Sequence, residues 1–335
     1  MQAKLRIGVL GTARISQIAL LGPSRRIPDI EVTTIASRDP ARAAKYARRH
    51  KIPRVLDSYD SLLHDPLIDA VYVPLPNSLH LEWTEKALRA GKHVLCEKPI
   101  ACNAAEAERI AMVARETGRT VVEAMHFRFH PLAFRIREIL ASGVLGRIRH
   151  IEAACCVPLL KRDFRYNFAF GGGATMDLGC YAVSFVRLAA GSEPDVVDAQ
   201  ARLASPQVDR WMRARLEFSG GIEGEVRSSM WSAELLRGDA CITGDEGTLT
   251  VKNPYAPQLF NQLILETGGK RLKERLKGYE SSYYYQLKAF ARAIQLGEPI
   301  SPGIEDAVAN MRVIDAIYRQ AGLSVRGSSP SPATA

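Results

Sequence analysis

The sequence predicts an α/β chain of two domains, a helix-covered parallel sheet followed by an α/β domain with a mainly antiparallel sheet. Three observations carry this. The chain has 335 residues, and domains run to roughly 100–200 residues each. Its first 125 residues alternate short apolar runs with helical spacing, the pattern of a parallel sheet covered on both faces. Beyond about residue 200 the apolar runs come in consecutive hairpins instead.

The elements follow in order. Leu5–Leu10 reads as a buried strand, and Ile30–Ala36 as a compact β-branched second one. Asp69–Val73, His93–Cys96 and Thr120–Glu123 continue the series. Ala41–His50, Ser78–Ala90 and Asn103–Thr117 have helical spacing, with Gly91 and Gly118 where helices should stop. A first domain built on a helix-covered parallel sheet is therefore expected over residues 1–125. In a second domain over 126–325, Pro131–Ser142 reads as a helix closed by Gly143, and Ile148–Val157 as a strand. Gly171-Gly172-Gly173 leads into a helix from Thr175 to Ala190. Arg213–Phe218 and Ile222–Met230 join at Ser219-Gly220-Gly221, and Ala240–Thr243 and Thr248–Val251 flank another turn. Two helices, Ser282–Leu296 and Ile304–Gln320, precede a Ser/Pro/Ala-rich tail over 326–335, expected to be disordered.

Composition excludes several classes. Hydrophobic residues make up 47% and charged residues 24%, an ordinary globular balance that needs no disulfide or metal staple. No run approaches the roughly 18 apolar residues of a membrane span, and Met1–Arg6 contains no apolar signal core, so a cytoplasmic protein is expected. The six cysteines form no C-x-x-C pair, and with no ligand spacing for zinc no metal is expected. They read as small buried hydrophobes. The net charge of +9 comes from 33 arginines and 12 lysines scattered along the chain, not from a clustered nucleic-acid footprint. Lys270–Lys277 is the densest basic stretch and reads as a solvated face.

The first strand runs into Gly11-Thr12-Ala13-Arg14-Ile15-Ser16. A dinucleotide fingerprint asks for G-x-G-x-x-G/A here. Gly11 permits the tight turn, while Ala13 and Ser16 are small enough for close approach and for packing. At the end of the second strand, where an acidic residue would accept from an NAD ribose, stand Ser37-Arg38, with Arg42 one turn on. An arginine fork suits a 2′-phosphate, so NADP(H) is preferred over NAD(H). Asp39 next door points either way.

Glu97-Lys98-Pro99 directly follows the fourth strand, at the carboxyl edge where open parallel sheets bind ligands. Asp177 and Tyr181 are spaced i,i+4 and share one helix face. With these stretches, and with Pro74-Leu75-Pro76-Asn77-Ser78-Leu79-His80, Gly91–Pro99, Arg128-Phe129-His130-Pro131 and Gly171–Tyr181, the sequence resembles the Gfo/Idh/MocA oxidoreductases across residues 7–190. Ala307–Arg312 also fits.

The resemblance implies a Rossmann domain, then an α/β domain with an open, mainly antiparallel sheet through which relatives associate. A homodimer or homotetramer is thus expected. It implies Lys98 as catalytic lysine before a cis proline, and Asp177 as the substrate-orienting carboxylate. Tyr181, where many members have His, is similar to the aldose dehydrogenase, glucose–fructose oxidoreductase and dihydrodiol dehydrogenase subgroup. Thr12, Arg14, Ile15, Pro74, Leu75, Asn77, His80 and Glu97 fall at cofactor positions, and His126 faces substrate in relatives. Arg128 is a substrate contact or a structural ion pair. Phe164, Arg165, Tyr166 and Asn167, just before the glycine run, are expected to line the pocket, and one tyrosine of 283–285, taken as Tyr283, to reach substrate.

The expected activity is hydride transfer at a carbinol or carbonyl carbon of a sugar or related cyclic alcohol. A free tyrosine, with pKa about 10, is a poor base, and a nearby Lys98 ammonium would favour its ionised form. Lys98 itself is the alternative proton carrier. Competing readings are a nucleotide-linked keto-sugar reductase and a non-catalytic NADP-binding regulator.

Overall fold

The computed structural model describes residues 3–327. The chain divides into two compact units. The first is built on the N-terminal residues through Ala101, on Ala105–Phe129 and on Ser281–Val308; the second on Cys102–Ala104, His130–Glu280 and the described residues from Ala309 on.

The first unit holds a six-stranded sheet ordered β3-β2-β1-β4-β5-β6, with every pairing parallel. Its strands are β1 (Leu5–Leu10), β2 (Ile30–Ala36), β3 (Arg54–Leu56), β4 (Ala70–Val73), β5 (His93–Cys96) and β6 (Val121–Glu123). Only β3 escapes the sequence, because three residues are too short to show a period. The order reverses between β1 and β4, and such a reversal opens a crevice at the carboxyl edge. A π-helical turn (Gln17–Leu21) and the short α1 (Gly22–Ser24) follow β1, in place of a regular helix. The other helices are α2 (Pro40–His50), α3 (Tyr59–Leu63), α4 (His80–Arg89) and α5 (Ala104–Thr117).

The core of this unit draws on a distant stretch of chain. Leu287, Phe290 and Ala291 of α8 (Ser282–Leu296) share one buried cluster with Ile7, Val9 and Ile35. The single boundary expected after residue 125 therefore differs from the observed division, in which Ser281–Val308 returns to the first unit. The reason is the apolar stripe of α8, whose Phe290 has no accessible surface.

The second unit contains α6 (Pro131–Ala141), α7 (Cys180–Ala190), most of α9 (Ile304–Gln320) and an eight-stranded sheet ordered β14-β13-β12-β11-β7-β10-β9-β8. The strands are β7 (Ile148–Cys156), β8 (Pro194–Ser205), β9 (Val208–Phe218), β10 (Ile222–Ser229), β11 (Gly238–Gly244), β12 (Gly247–Lys252), β13 (Gln262–Thr267) and β14 (Lys270–Glu274). All pairings are antiparallel except β7 with β10. One face is apolar and buried, through Ile151, Ala153, Ala214, Leu216, Val226 and Ile242. The other carries a charge ladder. Arg213 and Arg227 both donate to Glu225 (2.8 and 2.5 Å), and Arg237 joins Glu152 (2.6 Å) and Asp239 (3.0 Å).

The basic stretch has a structural explanation. Lys270, Arg271 and Lys273 lie on β14, the sheet's edge, where charges discourage strand addition. The cysteines are free; five are buried and Cys241 is half-buried. Burial pushes the Cys156 thiol up to about 12, away from thiolate chemistry. No described helix is long and apolar enough to cross a membrane. Arg326, expected to open a disordered tail, is fully buried, and residues 328–335 of that tail lie outside the described residues.

Truncating Phe290 to alanine is expected to cost about 3–5 kcal/mol, whereas Leu272→Ala on the exposed edge strand should stay within about 0.5 kcal/mol. Urea unfolding followed by circular dichroism checks both. A near-neutral Phe290→Ala would place α8 outside the core.

Candidate active site

At the carboxyl edge of the parallel sheet, Gly11 closes β1 with φ +83° while its N–H donates to the Ala36 carbonyl (2.7 Å). A Cβ here would stand 3.2 Å from Tyr59 Oη and 3.3 Å from Leu75 Cδ2, so both conformation and space select glycine. At the second fingerprint position the Ala13 carbonyl accepts from Tyr46 Oη (3.3 Å), and at the third Ser16 is fully buried. Thr12 is buried, Ala13 and Ile15 are half-buried, and Arg14 is exposed.

The end of β2 resolves the question of Asp39. Its carboxylate caps α2, accepting from the Arg42 N–H (3.0 Å), so it turns towards the helix. The Asp39 N–H in turn donates to Ser37 Oγ (3.3 Å). Arg38 and Arg42 are exposed and lie close to the Tyr59 hydroxyl. Burial raises the Tyr59 pKa, and the two arginine charges pull against that rise. A glycine cradle and a two-arginine fork are groups that could hold a nucleotide bearing an extra phosphate.

Two loops complete the edge. Lys98 is half-buried between buried Glu97 and Pro99, and the Lys98–Pro99 bond is cis, as the resemblance implies. Glu97 Oε1 accepts from the buried Tyr72 hydroxyl (2.5 Å), and the Ile100 N–H donates to Glu123 Oε1 (2.8 Å). Burial first, then the Glu97 charge, raises the pKa values of Tyr72 and Tyr283 and keeps both as proton donors. Pro74 is buried, and Leu75 and Asn77 are half-buried.

His80 is placed differently from expectation. It has no accessible surface, and its two ring nitrogens face the carbonyls of Pro99 (2.8 Å) and Leu75 (2.7 Å). Its side chain thus ties the two loops together and has no free edge for a cofactor. A neutral imidazole donates to only one carbonyl. Burial holds the His80 pKa down, the two carbonyls push it up, and the Lys98 charge lowers it further.

The substrate-side expectations divide as well. His126 is buried, with Nδ1 on Ser282 Oγ (2.8 Å) and its ring 4.0 Å from that of Tyr283, itself buried. Arg128 is buried and pairs with Asp306 (3.3 Å), the structural alternative left open for it.

In the second unit, every residue from 171 to 187 is buried except Asp177 and Tyr181, which are half-buried. Asp177 belongs to a π-helical turn, Thr175–Gly179, and Tyr181 to the start of α7. The expected single α-helix thus has a wider turn where Asp177 sits, a feature common at functional sites. Arg165 Nε pairs with Asp177 (3.0 Å) and its NH1 with Asp163 (3.1 Å). Burial works against the Arg165 charge, but the two carboxylates outweigh it and raise its pKa. The Arg165 guanidinium also lies 4.9 Å from the Phe164 ring centre. Among the described residues no cluster of three or more His, Cys, Asp or Glu could hold a metal ion.

Sequence reasoning missed Tyr46, Tyr59 and Tyr72. Each is an aromatic residue inside a helix or strand, where core packing is the ordinary reading, and no sequence signal separates the two roles.

Residues 5–125 match the model of an oxidoreductase family with an NAD-binding Rossmann fold, and residues 134–250 match the GFO/IDH/MocA C-terminal domain. The chain is 36% identical over 321 residues to D-xylose 1-dehydrogenase (NADP(+)) 2 of Haloferax volcanii, covering 95% of this chain and 97% of that one. Among solved structures it is similar to KijD10, a 3-ketoreductase from Actinomadura kijaniata in complex with NADP and TDP-benzene. The TM-score is 0.86 at 30% identity, over 95% of this chain and 98% of that one. The aldose-aldose oxidoreductase of Caulobacter crescentus, complexed with glycerol, gives a TM-score of 0.87 at 26% identity, again over 95% and 98%. Fold, motifs and these matches agree: the chain belongs to the GFO/IDH/MocA oxidoreductase family and is an NAD(P)-dependent enzyme acting on CH–OH groups.

Proposed function

We propose that the chain transfers hydride between NADP(H) and a carbinol or carbonyl carbon of a sugar or related cyclic alcohol. The observation that carries this reading is the paired accessibility of Asp177 and Tyr181 in an otherwise buried stretch, with half-buried Lys98 at the carboxyl end of β5. The Haloferax relative is a xylose dehydrogenase named for NADP(+), which agrees in substrate class and in cofactor.

When bound, the nicotinamide supplies the hydride acceptor or donor. Gly11 gives the turn that lets backbone approach a pyrophosphate. Arg38 and Arg42 hold the 2′-phosphate, and the capping role of Asp39 removes the carboxylate that would repel it. Glu97, fixed by Tyr72, and the loop of Pro74, Leu75 and Asn77 hold the nicotinamide end. Asp177, its charge balanced by Arg165, accepts from a substrate hydroxyl and orients it. Tyr181 Oη takes the hydroxyl proton as the carbinol is oxidised and returns it in the reverse direction. Lys98 is the alternative carrier of that proton.

The charge ladder on the open face of the second sheet is the surface we assign to self-association. Sedimentation equilibrium should then give at least twice the 36.9 kDa chain mass. A monomer at every concentration would remove this assignment.

Arg38→Ala should raise KM for NADP+ by about 10–100-fold, the worth of a lost charge-assisted pair, and leave KM for NAD+ nearly unchanged. Equal effects on both cofactors would contradict the 2′-phosphate role. Tyr181→Phe and Lys98→Ala should each cut kcat by about 10²–10⁴-fold with NADPH binding preserved. NADPH absorbance with a panel of aldoses and dihydrodiols reads turnover, and NADPH fluorescence reads binding. Wild-type turnover in either variant would refute the role given to that residue.

A further inference from the structure

The glycine run leading into Asp177 and Tyr181 is held by a fully buried charge pair. Asp209, near the start of β9, and Arg326 pair at 2.9 Å, and both side chains have no accessible surface. Asp209 Oδ2 accepts from the Thr175 N–H (2.8 Å) and from Thr175 Oγ1 (2.7 Å), and Oδ1 accepts from Tyr318 Oη (3.0 Å). Arg326 Nε donates to the Gly172 carbonyl (2.6 Å), and NH1 to that of Ser324 (2.7 Å). The guanidinium lies 4.0 Å from the Tyr318 ring centre, and Asn103 Nδ2 donates to the Arg326 carbonyl (2.8 Å).

The chain between these contacts has little freedom. Gly173 has φ +135°, and a Cβ there would run into Asp209 Oδ1, Tyr318 Oη and Arg326 NH2. The Gly173 carbonyl accepts from the Asp177 N–H (3.0 Å), so the clamp passes directly to the first residue of the site.

A buried ion pair is a poor source of stability, because desolvation offsets most of its attraction and apolar side chains of similar volume often serve as well. What it supplies is direction. A guanidinium presents donors in a rigid plane, and a carboxylate accepts from several donors at fixed angles. Here the atoms they fix are Gly172 O on the glycine run and Thr175 N and Thr175 Oγ1 at the head of the turn that carries Asp177 and leads into the helix of Tyr181.

We propose that Arg326, acting with Asp209, is a positioning residue for the reaction: it fixes the turn that sets the Asp177 carboxylate and the Tyr181 hydroxyl. The inference rests on the reading of Asp177 and Tyr181 as groups that touch substrate. It makes the end of the described chain part of the catalytic apparatus. Arg326→Lys would keep a charge opposite Asp209 but lose the planar fork that reaches Gly172 as well.

The test compares wild type, a chain ended after Gly327, a chain ended after Val325, and Arg326→Lys. Turnover uses NADP+ with whichever aldose the wild type oxidises. The chain ended after Gly327 should match wild type. The chain ended after Val325 and Arg326→Lys should lose about 10–100-fold in kcat, the scale of a misplacement near 1 Å, with KM for NADP+ and NADPH affinity unchanged. Amide exchange at Thr175 and Asp177 should quicken while that of the parallel sheet does not. A pair that only stabilises would lower the unfolding midpoint and leave kcat of the folded protein intact, which would overturn the proposal. If the shorter chain fails to fold, Arg326→Lys carries the decision. A wild type that oxidises no aldose or dihydrodiol and reduces no ketosugar would sink the hydride-transfer reading instead. Exchange at Thr175 and Asp177 then still decides whether Arg326 holds the turn, and unchanged rates in Arg326→Lys would show that it does not.

Discussion

The reversal of strand order between β1 and β4 is the constraint on which the first unit depends. Crossovers between parallel strands are right-handed, so connections on the two sides of a reversal leave by opposite faces of the sheet. A crevice results at the carboxyl edge with no side chain needed to make it. The residues we propose to hold ligand in this unit sit along that edge: Gly11 after β1, Arg38 after β2, Pro74–Asn77 after β4 and Glu97-Lys98 after β5. Apolar burial of the strands fixes their positions, and the polar residues just past each strand are thereby brought into one row.

The polar groups in both units follow one logic, in which a group committed to a partner fixes the backbone beside an accessible neighbour. Asp39 is spent on capping α2, which leaves Arg38 and Arg42 as accessible cations beside Tyr59. His80 is spent on two carbonyls, which ties the loop before α4 to the segment bearing Lys98. In the second unit Asp209 accepts from Thr175, Tyr318 and Arg326, which fixes the head of the turn carrying Asp177 and leading into the helix of Tyr181, the two accessible residues of that stretch.

Most of the first sheet was legible because its strands are short, apolar runs. Leu5–Leu10, Ile30–Ala36 and His93–Cys96 need nothing beyond their own composition. β8 was not legible, since its pairing with β9 shifts register at three places and each shift breaks the alternation that marks a strand. The helix Ser282–Leu296 was legible, but its membership of the first unit was not, because a periodic stripe says that a face is buried and not what buries it. Among the candidate residues, Lys98 could be singled out because it directly follows a strand, and Asp177 and Tyr181 because they are spaced i,i+4 on one helix face after a glycine run. His80 and Arg128 were singled out through the family resemblance instead, and the structure commits their side chains to backbone carbonyls and to Asp306. Sequence marks an unusual polar residue but does not tell a ligand contact from an internal one. Arg326, inside a stretch of tail-like composition, carried no signal at all.

The most direct measurement of the central claim is isotope transfer. Purified protein would be incubated with NADP+ and aldoses deuterated at the oxidised carbon, and the reduced cofactor examined by NMR. The account predicts deuterium at C4 of the dihydronicotinamide, delivered by wild type and lost in Tyr181→Phe. Tight NADPH binding with no label transferred from any aldose or dihydrodiol, and none passed from deuterated NADPH to a ketosugar, would contradict it.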